Sequence, residues 1–305
     1  MKNFIMATIA VTTLAASAAE LKVLMIGNSF SHSVLHYFPR VAASANCELK
    51  LAQCGIGGCV LQRHCEEFDK AEADPNYRPY WTNREEINNG SHGTNVQEML
   101  QADQWDIITI QQGSHQSWRP ESFGEYADKL IGIIRKYQPK AEIVIQQTWS
   151  YRLDDPRIMP GGEWGIDQTE MYERLTKNYR ALAKKYDLRI IPTGLAVQIY
   201  RQKSPLIFKN YDPASLTNYN WPDLPSQAGA IVGNLGWNKN RKTGEMYIGR
   251  DSIHLNNRGE YMQACVWCMT LFNKKAADIT FIPDNIGNKD AAFLAKCAEE
   301  AVYGN

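Results

Sequence analysis

The chain has 305 residues, 44% of them hydrophobic and 22% charged, enough to bury a substantial core as one large domain or two small ones. Lysine plus arginine (33) equals aspartate plus glutamate (33), so the formal net charge is zero. Bulk charge therefore marks no face for nucleic acid or an anionic membrane.

Residues 1–19 read as a signal peptide. Lys2 supplies a positive start, "FIMATIAVTTLAA" is a short apolar run, and "ASA" at 16–18 offers small residues for cleavage near Ala18 or Ala19. The apolar run is shorter than the ~20 residues a membrane span needs. No cysteine follows it to carry a lipid, and no later segment is apolar enough to cross a bilayer. The expectation is a soluble exported protein, periplasmic or secreted, without stable membrane insertion.

Strand-length apolar runs follow at "LKVLMIG" (21–27), "ELKLAQC" (48–54), "DIITIQQ" (106–112), "EIVIQQTW" (142–149) and "RIIPTG" (189–194). Most are near-continuous rather than alternating, as strands buried on both faces are. Helix-like stretches fall at 33–45, 93–103, 121–137, 167–186, 257–273 and 288–302. This alternation predicts an α/β fold, three layers α/β/α around a five-stranded, mainly parallel, flavodoxin-like sheet. Residues 20–305 are read as a single domain. Two stretches break the pattern as insertions, at about 66–91 and 203–250. The second is rich in Pro, Gly and Asn, yet Tyr211, Tyr219, Trp221 and Trp237 argue that it is ordered.

Seven cysteines stand at 47, 54, 59, 65, 265, 268 and 297. An odd count leaves at least one thiol unpaired in the monomer. The 47/54/59/65 group could hold one disulfide in an exported protein, with no pairing readable. Cys265 and Cys268 lie in a helical pattern with no second pair at matching spacing, so buried thiols are expected there rather than a metal site.

In such folds sites form at the carboxyl ends of the parallel strands. Two polar groups stand there: Asn28-Ser29 after the first strand and "QQGSHQS" (111–117) after the third. Ser29 fits a helix N-cap or a nucleophile. Near the other end of the chain Asp251 and His254 are three residues apart, ahead of a helix. An acid so placed can fix the tautomer of a histidine whose other ring nitrogen takes a hydroxyl proton.

In combination and order these motifs resemble the SGNH (GDSL-type) hydrolase family. Its first block is matched by Gly27-Asn28-Ser29-Phe30, its last by Asp251-Ser252-Ile253-His254-Leu255 with Gly259 in the following helix. Its second-block glycine is best matched by Gly58 in "CGIGGCVLQRH" (54–64). The resemblance implies Ser29 as nucleophile, His254 as general base then acid, and Asp251 as the residue orienting it. It implies an oxyanion hole from the N–H groups of Ser29 and Gly58. The family's third block, Gly-x-Asn-Asp, is absent, and "IQQGSHQS" stands in its place. Gln112 is the nearest chemical substitute for the missing amide donor, and Ser114 the second.

Asn28, Ser114, His115, Trp118 and Trp149 are candidate substrate contacts. Trp118, Trp149 and Trp164 fall on or after strand ends, where an apolar platform for a sugar or acyl group would stand, although core packing is the ordinary role of Trp. His32 and His36 have the i, i+4 spacing of helical metal ligands, but the Glu of His-Glu-x-x-His is missing, so no metal is expected. "GIGG" lacks the rest of a phosphate loop, so no nucleotide or other cofactor is expected. The expected function is an exported serine esterase that removes small acyl groups, acetyl above all, from carbohydrates. The alternatives are action on longer acyl esters, as by a lipase or thioesterase, and a non-catalytic carbohydrate-binding protein. The expected partner is a small-molecule or carbohydrate ester, not nucleic acid.

Overall fold

The structure, a computed structural model, describes residues 19–84, 86, 90, 92–211 and 213–304. Residues 1–18 of the expected signal peptide lie outside the described residues. Strands are β1 (Leu21–Gly27), β2 (Leu49–Gly55), β3 (Tyr80–Trp81), β4 (Gly93–Thr94), β5 (Ile107–Ile110), β6 (Glu142–Gln146), β7 (Arg189–Ile191), β8 (Val232–Lys239) and β9 (Met246–Leu255). Helices are α1 (Ser29–His32), α2 (Val34–Ser44), α3 (Leu61–Ala73), α4 (Val96–Gln101), α5 (Gly124–Tyr137), α6 (Gln168–Tyr186), α7 (Thr193–Lys203), α8 (Asn257–Phe272) and α9 (Asn288–Tyr303).

The main sheet has the order β4-β3-β2-β1-β5-β6-β7. Five of its strands, β2-β1-β5-β6-β7, are parallel. The short β3 and β4 extend the β2 edge antiparallel, making seven strands where five were expected. Val23–Ile26 and Ile107–Ile110 are buried on both faces of the sheet, which is why their runs read as continuous rather than alternating. Helices α2, α7, α8 and α9 pack together on one face, and α3, α4 and α5 on the other. One apolar cluster runs from Val23 to Ala301.

Three elements differ from expectation. Helix α3 carries "LQRHCEEFDKAEA", nearly half of it charged, and buries a narrow stripe of Leu61, His64, Cys65, Phe68 and Ala71 together with Glu67. It runs to Ala73, so the first insertion begins later than residue 66. Helix α7 follows Pro192 directly. The 203–250 stretch contains most of an antiparallel hairpin, β8–β9, apart from the main sheet, and β9 continues through Asp251 and His254.

All seven cysteines are free and buried, so the 47/54/59/65 group holds no disulfide. The Cys47 thiol faces Cys268 instead of the other three. Burial pushes the Cys59 and Cys65 thiols up, to about 12 and about 11, so they stay protonated and unreactive. No helix among the described residues is long and apolar enough to cross a membrane.

Candidate active site

Strand β1 ends at Gly27, where a Cβ would lie 2.3 Å from Ser31 Oγ, so a larger residue would displace the Ser31 side chain. Asn28 then caps α1: its Oδ1 accepts from the Phe30 N–H at 3.0 Å. The same carboxamide accepts from Gln111 Nε2 at 2.5 Å and donates to the Cys59 carbonyl at 2.9 Å. Asn28 is therefore buried and engaged on both sides, joining the ends of β1, β2 and β5. It is a brace for the turn rather than a substrate contact. Ser29, partly exposed, opens α1, and an N–H at that position has no intrahelical acceptor.

At the other end of the chain, β9 delivers Asp251 and His254. Asp251 Oδ1 accepts from the N–H groups of Ile253 (2.9 Å) and His254 (3.0 Å). Asp251 Oδ2 accepts from His254 Nδ1 at 2.7 Å. His254 Nε2 lies 2.8 Å from Ser29 Oγ. Burial alone would raise the Asp251 carboxyl, but the bonds from His254 and from the two backbone N–H groups outweigh it and hold the group well below the usual carboxylate range. An ionised Asp251 fixes the proton on Nδ1 and leaves Nε2 as an acceptor facing the serine hydroxyl.

The two halves are joined from beneath. The Phe30 ring stacks on Trp149, centroids 4.0 Å apart and planes within 5°, and meets His254 edge-on at 5.5 Å. Trp149 Nε1 donates to the Ile253 carbonyl at 2.8 Å. Trp149 is thus fully buried, the floor beneath the serine and the histidine rather than part of a rim platform. The Phe30 carbonyl accepts from Gln146 Nε2 (2.9 Å) and Gln263 Nε2 (3.1 Å). Sequence reasoning missed both glutamines. Gln146 had a signal, a carboxamide at the carboxyl end of a parallel strand; Gln263, inside the apolar α8, had none.

The loops around Ser29 give a mixed answer on the oxyanion site. Gly58 is exposed in the turn after β2 with φ +64°, and its N–H makes no hydrogen bond among the described residues. The Asn28 bond to Cys59 holds this turn beside α1. Gln112 does not fit the role of third donor. Its Oε1 accepts from Leu61 N (2.9 Å) and Gly113 N (2.8 Å), and its Nε2 donates to Ser122 O (2.6 Å) and Ser122 Oγ (3.0 Å). Every polar atom of the side chain is turned inward. Ser114 is buried, its Oγ 2.8 Å from the Tyr151 hydroxyl. Trp118 is buried too, packed on Trp164 with Arg119 and Arg174 over its ring. His115 is half-buried beside Gly113 and next to the 59–60 turn. Burial, with Arg157 and Arg119 nearby, keeps it below the usual histidine range and hence neutral. An exposed aromatic the sequence reading passed over, Trp81, pairs with Gly55 at the carboxyl end of β2 and meets His32 of α1 edge-on at 5.1 Å.

Residues 22–214, most of the chain, match the family described as a domain of unknown function, DUF4886. The chain belongs to the DUF4886 family. A DUF4886 protein from Bacteroides uniformis has a similar structure, with a TM-score of 0.70 at 22% identity over 93% of this chain and 95% of that one. A proposed SGNH hydrolase from Slackia heliotrinireducens aligns with a TM-score of 0.49 at 16% identity, over 83% and 100% of the two chains. A lipase/acylhydrolase from Enterococcus faecalis aligns with a TM-score of 0.43 at 12% identity, over 81% and 93%. No curated protein matches. At these identities the likeness is one of fold, and the chemistry has to be argued from the residues of this DUF4886 chain.

Within this DUF4886 protein the His32 and His36 rings do not converge. His32 Nδ1 bonds Gln53 Oε1 at 3.0 Å, and His36 Nδ1 pairs with Glu260 at 2.6 Å. Among the described residues no group of three or more His, Cys, Asp or Glu side chains is arranged to hold a metal ion. The charges nearest the site are paired locally: Ser252 Oγ donates to Asp155, which holds Arg157, and Arg152 N donates to the Ser252 carbonyl. These contacts brace β9 from the loop after β6.

Proposed function

We propose that this DUF4886 protein is an exported serine esterase working through Ser29, His254 and Asp251. The observation that carries the reading is the continuous hydrogen-bond path from Ser29 Oγ through His254 to Asp251, with links of 2.8 and 2.7 Å. Both lie within the reach expected of a nucleophile, its base and the base's orienting acid. Ser29 Oγ attacks the ester carbonyl while His254 Nε2 takes its proton. The tetrahedral oxyanion is held by the N–H groups of Ser29 and Gly58. His254 returns the proton to the leaving alcohol, water attacks the acyl-serine by the reverse route, and the carboxylic acid departs.

A small acyl group, acetyl above all, on a carbohydrate is the preferred substrate. Export, read from residues 1–19, supports an extracytoplasmic polymer or its fragments. Trp81, partly exposed beside α1 and stacked with His92, offers an aromatic surface to a sugar ring. A second reading, a carbohydrate-binding protein on a hydrolase-like scaffold, is favoured by one observation: Gln112 is turned inward and leaves two backbone donors where the resemblance implies three.

Covalent labelling by a fluorophosphonate, read by peptide mass spectrometry, tests the proposal. Modification of Ser29, abolished in His254→Ala, is the expected result. An unlabelled, folded parent protein rejects the hydrolase and leaves the binding reading. A panel of acetylated sugars and nitrophenyl esters of graded chain length then separates small from long acyl groups.

A further inference from the structure

A cavity of about 130 Å³ opens between α7, the 206–208 segment and the 229–232 segment. Neither Ser29 nor His254 lines it. Its walls are largely apolar, from Leu206, Ile207, Phe208, Ile231 and Val232. An apolar cavity of roughly this size takes a ligand of about six heavy atoms.

One cation faces this small space with no anion opposite. Arg201, on α7, donates to Ser150 Oγ (2.6 Å), the Ser150 carbonyl (2.9 Å) and the Tyr151 carbonyl (3.1 Å). All three acceptors are neutral, and among the described residues no carboxylate pairs with it. Neighbouring arginines are treated differently: Arg152 pairs with Asp154, Arg157 with Asp155 and Arg258 with Asp290. Burial pushes Arg201 down to about 9, with no negative group to offset it. Beside it Tyr200 also lines the cavity, with the Arg258 guanidinium 5.3 Å from its ring centre and interacting with its buried hydroxyl. A partly buried cation against neutral acceptors, next to an apolar wall, fits a small amphiphilic anion.

We propose that this cavity binds a short-chain carboxylate of about two to four carbons, its carboxylate on Arg201 and its alkyl group against Leu206, Phe208 and Val232. The inference goes beyond the esterase reading and does not rest on it. Such a ligand would sit against backbone that also holds the catalytic strand. The Ala230 carbonyl accepts from Asn256 Nδ2 at 2.9 Å and the Ile231 carbonyl from Asn256 N at 3.0 Å, two residues after His254.

Isothermal titration of the full chain with butyrate, and with butan-1-ol as the uncharged control, tests it. Saturable one-site binding of butyrate is expected, with butan-1-ol at least about tenfold weaker, the loss of one charge-assisted contact. Arg201→Gln should weaken butyrate by a similar factor. If that variant fails to fold, Ala230→Leu, which keeps Arg201 and fills the cavity, should abolish binding on its own. Ser29→Ala should leave it unchanged, which separates this site from product bound at the serine. No saturable binding by the parent, equal binding of butyrate and butan-1-ol, binding that survives Ala230→Leu, or binding lost in Ser29→Ala would each overturn the proposal.

Discussion

Asp251 and His254 stand three residues apart on one strand, yet their side chains meet at 2.7 Å. A regular strand sends residues i and i+3 to opposite faces. The hairpin register resolves this: Asn234 pairs with Asp251 and Val232 with Leu255, so residues 252–254 together face Gly233. The extra residues bend β9, and the Asp251 carboxylate holds the bend by accepting from two backbone N–H groups. Bulges re-aim side chains in this way. Gly233 has φ +83°, and a Cβ there would lie 2.6 Å from the Asp251 carbonyl and 2.9 Å from the Arg152 guanidinium. Gly233→Ala should therefore cost roughly 1–2 kcal/mol of left-handed strain and lower kcat while leaving KM nearly unchanged. Thermal melts beside kinetics on an acetyl ester check this; a variant with parental kcat would show that the bulge does not set the pair.

Ser29→Ala and His254→Ala should each reduce esterase turnover by roughly 10⁴-fold or more, and the double variant by no more than either alone, because the groups act as a unit. Asp251→Asn should cost less or comparably. Steady-state kinetics with an activated acetyl ester decides it. Near-parental turnover in Ser29→Ala would remove the nucleophile from the proposal.

On the esterase reading Trp149 acts through its neighbours, as a positioning residue. Trp149→Phe keeps an aromatic ring on Phe30 but leaves the Ile253 carbonyl without its donor. The expected outcome is a loss of about 1–3 kcal/mol in stability and a fall in kcat with KM little changed. Trp149→Ala should cost about 3–5 kcal/mol. Phenylalanine at 149 with full kcat would mean that the bond to β9 serves packing alone.

Gln112 gives the opposite pattern. Its side chain satisfies Leu61, Gly113 and Ser122 inside the protein, so Gln112→Ala should lower stability by about 1–3 kcal/mol. Turnover per folded molecule should fall far less than the 10²–10³-fold of a lost oxyanion donor. A stable Gln112→Ala with a collapsed kcat would return the residue to the oxyanion site.

The inner strands β1, β5 and β6 were legible because their central residues are buried on both faces and are largely apolar, and the Ser29–His254–Asp251 set was legible because Gly27-Asn28-Ser29-Phe30 and Asp251 to His254 flank the fold in a recognisable order. What hid was set by tertiary contact. Trp149 follows a strand's carboxyl end in sequence, but only packing against Phe30 turns it inward. Gln112 has the chemistry of an oxyanion donor, and only the position of Ser122 and Leu61 shows that its amide is engaged. The β8–β9 hairpin is polar and Gly-rich because it lies outside the main sheet, so no apolar run announced it.

A buried histidine remote from the site gives the acid response. His64 lies inside α3, its Nδ1 2.9 Å from the Tyr80 hydroxyl and its Nε2 without a partner among the described residues. Burial, the largest cause, holds its pKa down at about 3; Arg63 acts in the same direction and Glu67 against it. An unfolded histidine titrates near 6.5. Between those values the unfolded chain binds the proton and the folded chain does not, so the contribution is full above about pH 6.5 and is lost as pH falls toward 3. Each unit is worth about 1.4 kcal/mol, which makes the loss a few kcal/mol. Carboxylates held low in the fold lose their contribution later: Asp103, held at about 2 by Lys22 and Lys50, weakens only below about pH 4. The window from about 4.5 to 6.5 therefore reports on histidine. His115, also held low by burial, adds to the slope in the same sense. His64→Gln should be less stable at neutral pH but flatter across that window, keeping only the His115 part. Urea unfolding of both proteins at several pH values measures it, and parallel curves would show that His64 is not the group that titrates.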